Sequence, residues 1–186
     1  ARGLSKGFPG VWEHLILDKL DFDVRSGEVH TLLGENGAGK TVIANILSGY
    51  YEKTEGEIRV KGKLVHFRSP REGLAHGIAM VHQELMLVPA FTVAENIMVG
   101  LDAPLFSYDI TGVENRIRML VERYGLQVDP KALVEDLSAG QQQRVEILKV
   151  LFHEPEVLLL DEPTSLLTPS EADQLFIVLR AMADDG

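Results

Sequence analysis

The sequence predicts an α/β fold built on a mostly parallel sheet that is covered by helices on both faces. Three nearly continuous apolar runs have the composition of buried strands: Val29 to Leu33, Ile78 to Val81 and Val157 to Leu160. Amphipathic helical segments alternate with these runs along the chain, which is typical of parallel sheets. The first run ends at a glycine-rich loop and the last at two acidic residues, so we expect a ligand site at the carboxyl ends of the strands.

Shorter elements surround these strands. Leu20 to Val24 alternates apolar and acidic residues, as a half-buried antiparallel strand does. Gly56 to Phe67 alternates again and predicts a hairpin. A helix is predicted from Lys40 to Tyr50, directly after the glycine loop. The segment SPRE at residues 69–72 predicts the start of a short helix that runs to about His76.

The second half of the chain is predominantly helical. From Glu84 to about Leu137 the pattern is helical, with Thr92 to Val99 and Gly112 to Tyr124 as the clearest segments. A strongly amphipathic helix follows from Gly140 to Phe152, and Pro169 begins the last helix.

The chain length of 186 residues predicts a single domain. We expect residues 1–83 and 152–186 to form the core together with an antiparallel β subdomain. Residues 84–151 would then form a helical subdomain inserted between strands of the core.

The composition excludes several kinds of function. The net charge of −10 argues against nucleic acid as a partner, because most of the surface repels phosphate backbones. The absence of cysteine excludes disulfides and thiolate zinc sites, and the six histidines lack metal-ligand spacing. No apolar run reaches the roughly 20 residues that span a bilayer, and the N-terminus lacks the apolar core of a signal peptide.

The segment GENGAGKT, residues 34–41, matches the pattern G-x-x-x-x-G-K-[ST] between a predicted strand and a predicted helix. Its glycines let backbone N–H groups approach an anion, and the following helix points its positive end at that anion. Lys40 would reach the β- and γ-phosphates of ATP, and the Thr41 hydroxyl would ligate Mg²⁺. A chance glycine loop would rarely match so strictly in this context. The expected nucleotide contacts are Gly34, Asn36, Gly37, Ala38, Gly39, Lys40, Thr41 and Val42.

Two acidic residues, Asp161 and Glu162, directly follow the most apolar strand of the chain. Asp161 would hold magnesium through its waters, and Glu162 would orient and polarise an attacking water. A strand followed by an acidic helix cap is a common alternative. The phosphate loop upstream favours the functional interpretation.

The segment LSAGQ, residues 137–141, begins the amphipathic helix that precedes these acids. The Ser138 hydroxyl and the Gly140 N–H at a helix start make a second anion site. Taken alone, this segment is only a good helix N-terminus. Its position just before the strand that carries Asp161 favours a functional role.

Together these segments resemble the ATP-binding cassette (ABC) ATPases over essentially the whole chain. GENGAGKT is similar to their Walker A motif, LSAGQ to their signature and VLLLDEP to their Walker B motif. The resemblance implies a P-loop NTPase core. Gln83 stands where the family has its Q-loop glutamine, which implies a catalytic role beside Glu162 and a place among the magnesium ligands with Thr41 and Asp161.

The resemblance also implies partners. Two such domains pair head to tail in the family, so each ATP would lie between one Walker A loop and the signature of a second ABC domain, here Ser138, Gly140 and Gln141. The lobe from about Glu84 to Leu151 would face a transmembrane permease subunit. Apolar residues between Glu84 and Gly100 could dock that subunit. The alternative for them is the lobe's own core.

A finer resemblance is to importers of simple sugars and nucleosides. It is carried by KGFPGV at residues 6–11, LLGEN at 32–36 and QQRVEIL at 142–148. It implies that Phe8 stacks on adenine, with Trp12 as a competing candidate. A buried core aromatic is the alternative for both. It further implies permease subunits and a solute-binding protein as partners, and a peripheral location on the cytoplasmic face of the cell membrane.

The chain departs from the family pattern at several positions. Ala139 replaces the first glycine of the usual signature, which is harmless if its φ is negative. Val42 stands where a second hydroxyl residue is common, and Leu166 and Thr168 depart from the usual D-loop. No histidine follows His153, so the family's switch histidine is missing and we expect the chain to be part of a longer protein.

The predicted function is therefore ATP hydrolysis that drives an importer of simple sugars or nucleosides. One alternative is a soluble ABC ATPase that acts on DNA, ribosomes or iron–sulfur assembly. Such proteins tend to carry coiled-coil insertions or basic patches, and this sequence has neither. The other alternative is a nucleotide-binding module without turnover, against which the carboxylate of Glu162 argues.

Overall fold

The computed structural model describes residues 1–8, 15–101 and 109–185, and these residues form two units. The first unit combines residues 1–80 with residues 155–161, and the second begins at residue 81 and omits residues 155–161. No helix in the described ranges is long and apolar enough to span a bilayer. The subdomain boundaries at residues 83 and 151 stay predictions.

A four-stranded antiparallel sheet forms much of the first unit, in the order β2-β1-β3-β4. Its strands are β1 (Arg2–Lys6), β2 (Leu17–Leu20), β3 (Glu55–Val60) and β4 (Lys63–Val65). Strands β3 and β4 are adjacent in the chain and pair with Ile58 opposite Val65. The predicted hairpin is thereby confirmed.

A second sheet consists of β5 (Ile78–Val81) and β6 (Val157–Leu160). The Gly77 carbonyl, just before β5, accepts hydrogen bonds from the N–H groups of Glu156 at 2.8 Å and Val157 at 2.9 Å. Both strands therefore begin at the same end of the sheet and run parallel. Their bounds confirm two of the three predicted buried strands.

The third predicted strand is wrong in this structure. Residues 29–33 form no strand, and Val29 and Leu33 are 51% and 90% exposed. An apolar run becomes a strand only when neighbouring strands satisfy its backbone hydrogen bonds, and no described strand pairs with this one.

The predicted strand at Leu20 to Val24 is displaced toward the N-terminus, because the strand occupies residues 17–20. The ladder with β1 ends at Leu20, opposite Leu4. Beyond it, Phe22 still donates to the Ala1 carbonyl at 3.2 Å.

Helix α1 (Lys40–Leu47) follows the glycine loop and is held by the apolar core of the first unit. Helix α2 (Pro70–Ala75) starts as predicted, with the Ser69 hydroxyl accepting from the Glu72 N–H at 3.3 Å. The core contains residues from both α1 and the antiparallel sheet, which fixes the helix against that sheet. Its buried members are Leu4, Leu17, Ile43, Ile46, Ile58, Val65, Phe67 and Ile78.

The second unit is helical, as predicted. It contains α3 (Val93–Val99), α4 (Ile110–Tyr124), α5 (Ala139–Leu151) and α6 (Pro169–Asp184), with a 3₁₀ turn at Val134–Asp136. Helices α3, α4 and α5 contact one another, and α6 contacts α4 and α5. Capping boxes begin α3, α5 and α6, formed by Thr92 and Glu95, Ser138 and Gln141, and Thr168 and Glu171.

Candidate nucleotide-binding site

The glycine loop has the backbone that its sequence requires. Gly37 and Gly39 have φ values of +84° and +91°, which side chains other than glycine rarely adopt. A Cβ atom at Gly39 would lie 2.8 Å from Leu17 Cδ2, whereas one at Gly37 would meet nothing within 4 Å. Gly39 is therefore required both by its conformation and by the space around it.

The N-terminus of α1 is open. Its N-cap residue is Gly39, which offers no side-chain hydrogen bond, and its first turn contains no acidic residue. The other α-helices of the described ranges all begin with a side chain that accepts from the first turn. The N–H groups of α1 and the positive end of its dipole are therefore available to an anion.

Lys40 lies against the loop that precedes it. Its ammonium donates to the carbonyl oxygens of Gly34 at 2.8 Å and Glu35 at 3.0 Å. The loop is further closed by the Ala38 N–H, which donates to the Glu35 carbonyl at 3.1 Å. The positive charge is thus held at the loop that was predicted to bind phosphates.

The two predicted magnesium ligands of the first unit are in contact. The Thr41 hydroxyl donates to Asp161 Oδ1 at 3.2 Å, although the two residues are 120 positions apart in the sequence. Asp161 is buried, with 8% of its surface exposed. Hydroxyl and carboxylate oxygens are the ligands that Mg²⁺ prefers, usually together with waters and substrate phosphates. The pair therefore fits a magnesium ion.

The remaining loop residues differ in their exposure. Asn36 and Ala38 are exposed in the loop. Val42 packs against the apolar core of the first unit. Its side chain therefore points to the core and does not take the place of the hydroxyl that is common at this position. Its predicted contact with the nucleotide can involve only its backbone.

Glu162, next to Asp161 in the chain, has an unusual backbone. Its φ is +46° and its carbonyl accepts from the Ser165 N–H at 3.1 Å, while its side chain is exposed. A positive φ is uncommon for a residue other than glycine, and such conformations cluster at functional sites. The sequence did not predict this conformation.

Gln83 and Phe8 lie just beyond strand ends. Gln83 is exposed and follows β5 by two residues. The half-buried Phe8 meets Tyr51 edge to face, with ring centroids 5.5 Å apart, and the Lys6 ammonium lies 4.8 Å from the Phe8 centroid. Sequence reasoning missed Tyr51. Trp12, the competing candidate for adenine, lies outside the described residues.

The signature segment begins α5 with a capping box. The Ser138 hydroxyl accepts from the Gln141 N–H at 3.3 Å, and Gln141 Oε1 accepts from the Ser138 N–H at 3.0 Å. Ala139 is the first residue of the helix and does not have a positive φ, as its replacement of glycine requires. Gly140 is buried.

A carboxylate of the second unit lies on the signature. The Ser138 hydroxyl donates to Glu171 Oε1 at 3.3 Å, and a Cβ atom at Gly140 would lie 2.7 Å from the Glu171 carboxyl carbon. Hydrogen bonds from the N–H and hydroxyl of Thr168 lower the pKa of Glu171, with smaller effects from Ser138 and the Gly140 N–H. The sequence shows the capping pattern at residues 168–171, but no local pattern links Glu171 to Ser138, 33 residues away.

Sequence comparisons identify relatives over nearly the whole chain. The profile of the ABC transporter family matches residues 17–165. The chain is 49% identical over 170 residues to the nucleoside import ATP-binding protein NupA of Lactococcus lactis. This alignment covers 91% of this chain and 34% of that protein. It is 46% identical over 186 residues to the ribose import ATP-binding protein RbsA 1 of Rubrobacter xylanophilus. This alignment covers 100% of this chain and 37% of that protein. The chain thus spans about a third of the length of these relatives.

Solved structures have the same fold. An ATP-binding cassette of an ABC transporter in its ADP conformation superposes with a TM-score of 0.86 at 25% identity, covering 100% of this chain and 76% of that chain. A dimeric bacterial ABC transporter cassette superposes with a TM-score of 0.79 at 24% identity, covering 99% of this chain and 82% of that chain, and supports the fold alone. The fold is that of the P-loop NTPases, with antiparallel and parallel sheets. With a family profile that matches most of its residues, the chain belongs to the ABC transporter family.

Proposed function

We propose that this chain is the ATP-binding and ATP-hydrolysing part of an importer for simple sugars or nucleosides. The observation that carries the proposal is the 3.2 Å contact between the Thr41 hydroxyl and Asp161, next to the open N-terminus of α1. This arrangement combines oxygen ligands for magnesium with backbone donors for phosphates.

The glycine loop would hold the triphosphate. Its backbone N–H groups and the Lys40 ammonium would bind the phosphate oxygens, with Lys40 exchanging the carbonyls of Gly34 and Glu35 for the β- and γ-phosphates. Thr41 and Asp161 would hold Mg²⁺, which neutralises charge on the phosphate oxygens when it is bound.

Hydrolysis needs an oriented water. In the proposed reaction Glu162 accepts a proton from a water that attacks the γ-phosphorus, and the bond to the ADP oxygen breaks to give ADP and phosphate. The exposed carboxylate of Glu162 and its position directly after Asp161 support this assignment. Gln83 is assigned beside it by its place in the family pattern.

The partners follow from the same proposal. A second ABC domain would supply Ser138, Gly140 and Gln141 to the nucleotide, as the place of these residues in the family pattern implies. Permease subunits would dock on the segment that precedes α3, where Met86 and Val88 are 59% and 38% exposed. The chain would then lie on the cytoplasmic face of the cell membrane, and a solute-binding protein would deliver the solute.

The class of solute rests on the relatives. Their names refer to the import of nucleosides, guanosine, ribose and arabinose. The identities of 44% to 49% support a solute of this class for the importer that contains this chain.

The proposal is tested by Glu162→Gln in the full-length protein with its permease. We expect ATP affinity to stay within about twofold and turnover to fall at least about 100-fold, the usual effect of losing a general base. Glu135→Gln, at an exposed residue of the 3₁₀ turn, is the control and should retain full turnover. Equal turnover of Glu162→Gln and the parent would contradict the proposal. Co-purification with ribosomes or DNA, in place of a membrane protein, would favour the soluble alternative.

A further inference from the structure

The anion position of the signature is taken by a carboxylate of the same chain. Ser138 and Gly140 are the groups assigned to the nucleotide of a second ABC domain. In this structure the Ser138 hydroxyl donates to Glu171 Oε1, and Glu171 lies so close to Gly140 that a Cβ atom there would be 2.7 Å from its carboxyl carbon. The glycine therefore makes room for a negatively charged acceptor, and Glu171 is that acceptor.

The two oxygens of Glu171 have separate contacts. Oε2 completes the capping box of α6, accepting from the Thr168 N–H at 3.0 Å and the Thr168 hydroxyl at 2.9 Å. Oε1 contacts Ser138 and has no part in those capping bonds. The capping role of Glu171 therefore does not account for its contact with the signature.

A phosphate and this carboxylate would compete for the same donors. Both are anionic oxygen acceptors, and both are stabilised by the positive end of α5. One hydroxyl hydrogen cannot be donated fully to two acceptors, and two anions on one donor group repel each other. An arriving phosphate must therefore displace Glu171 Oε1.

We propose that Glu171 is a further residue of the nucleotide site at the signature. Its carboxylate occupies the place at Ser138 and Gly140 that a phosphate would take, until the nucleotide bound by the second ABC domain displaces it. Glu171 thereby sets the ATP concentration at which the two domains close. This inference rests on the proposed function, because it requires that the signature bind a nucleotide.

Glu171→Gln separates this role from capping. Glutamine at this position also completes a capping box, so the variant retains the start of α6 and loses the charge. Helix α3 provides a matched control. Glu95 Oε2 accepts from the Thr92 N–H at 2.7 Å and from the Thr92 hydroxyl at 2.9 Å, which is the same capping arrangement without the signature.

The experiment uses the full-length protein with Glu162→Gln, so that bound ATP is not consumed. Hydrogen exchange of a peptide containing residues 137–142 is followed over a range of ATP concentrations. Glu171→Gln should lower the ATP concentration for half-maximal protection about three- to tenfold, the effect of removing one competing charged hydrogen bond. Glu95→Gln should leave it unchanged.

Equal midpoints for Glu171→Gln and Glu95→Gln, or a higher midpoint for Glu171→Gln, would overturn the inference. Binding of a fluorescent ATP analogue to the glycine loop is measured in parallel and should be the same in all variants. Failure of the parent to bind that analogue would contradict the proposed function itself. ATP binding without any protection of the signature peptide would overturn the inference and the assignment of the signature to the nucleotide, and would leave ATP binding by the glycine loop intact.

Discussion

Two helix N-termini of this chain are assigned to nucleotide phosphate, and they are prepared in opposite ways. Helix α1 begins at a glycine with φ of +91°, without a capping side chain or an acid in its first turn. Helix α5 begins with a full capping box, and the Glu171 carboxylate lies on its first residues. One terminus leaves its donors open, and the other satisfies them within the chain.

This difference indicates that the two helix N-termini have different roles toward ATP. Open backbone donors favour strong binding of an anion without help from a second ABC domain, and the Lys40 ammonium exchanges only neutral carbonyls for a charged phosphate. Satisfied donors bind an incoming phosphate only after an internal bond is exchanged, which makes the net gain small. The glycine loop is therefore suited to hold ATP, and the signature to respond to it.

The largest expected effect concerns the glycine of the open terminus. Gly39→Ala should lower the free energy of unfolding by about 2–4 kcal/mol, because alanine disfavours a positive φ and its Cβ would crowd the buried Leu17. Gly37→Ala has the same backbone strain without the crowding and should cost about 1 kcal/mol. Denaturant unfolding without nucleotide measures both.

The signature glycine should behave differently in the same assay. Gly140 has no positive φ, and its neighbour is the end of the Glu171 side chain. Gly140→Ala should therefore change the unfolding free energy by less than about 1 kcal/mol, since alanine also favours the helix. A loss at Gly140 equal to that at Gly39 would remove the distinction between the two termini.

An effect on ATP affinity, smaller than the loss of stability at Gly39, is expected at the proposed magnesium pair. Thr41→Val retains the shape of the side chain but removes the hydroxyl that contacts Asp161. The gain in ATP affinity on adding Mg²⁺ should fall about tenfold, the usual effect of losing one polar contact to a charged group. Thr41→Ser retains the hydroxyl and is the control. Titrations with Mg²⁺ and with a chelator measure the ratio, and identical ratios for valine and serine would exclude Thr41 as a ligand.

Local sequence patterns predicted most of the fold. Capping residues and apolar periodicity predicted the helices of the second unit, including the start of α6 at Pro169, and the start of α2 after Ser69 in the first unit. The run at residues 29–33 failed because its composition describes burial, whereas a strand also needs hydrogen-bonded neighbours. Whether a strand pairs with a neighbour depends on the rest of the chain and cannot be predicted from residues 29–33 alone.

The candidate site shows the same limit. The glycine loop, Asp161 and the signature were found because each is a short motif with fixed spacing. Tyr51 against Phe8 and Glu171 against Ser138 were missed, because both contacts join separate segments. The positive φ of Glu162 was also missed, because a glutamate carries no signal for that conformation.

The affinity of the full-length protein for ATP, compared between Lys40→Met and Ser138→Ala, tests the division between the two termini most directly. Loss of the Lys40 ammonium should weaken ATP binding about 10- to 100-fold, because a charged hydrogen bond to phosphate is removed. Ser138→Ala should leave ATP affinity within about twofold while it lowers turnover. Equal weakening of ATP binding by the two variants would contradict the account.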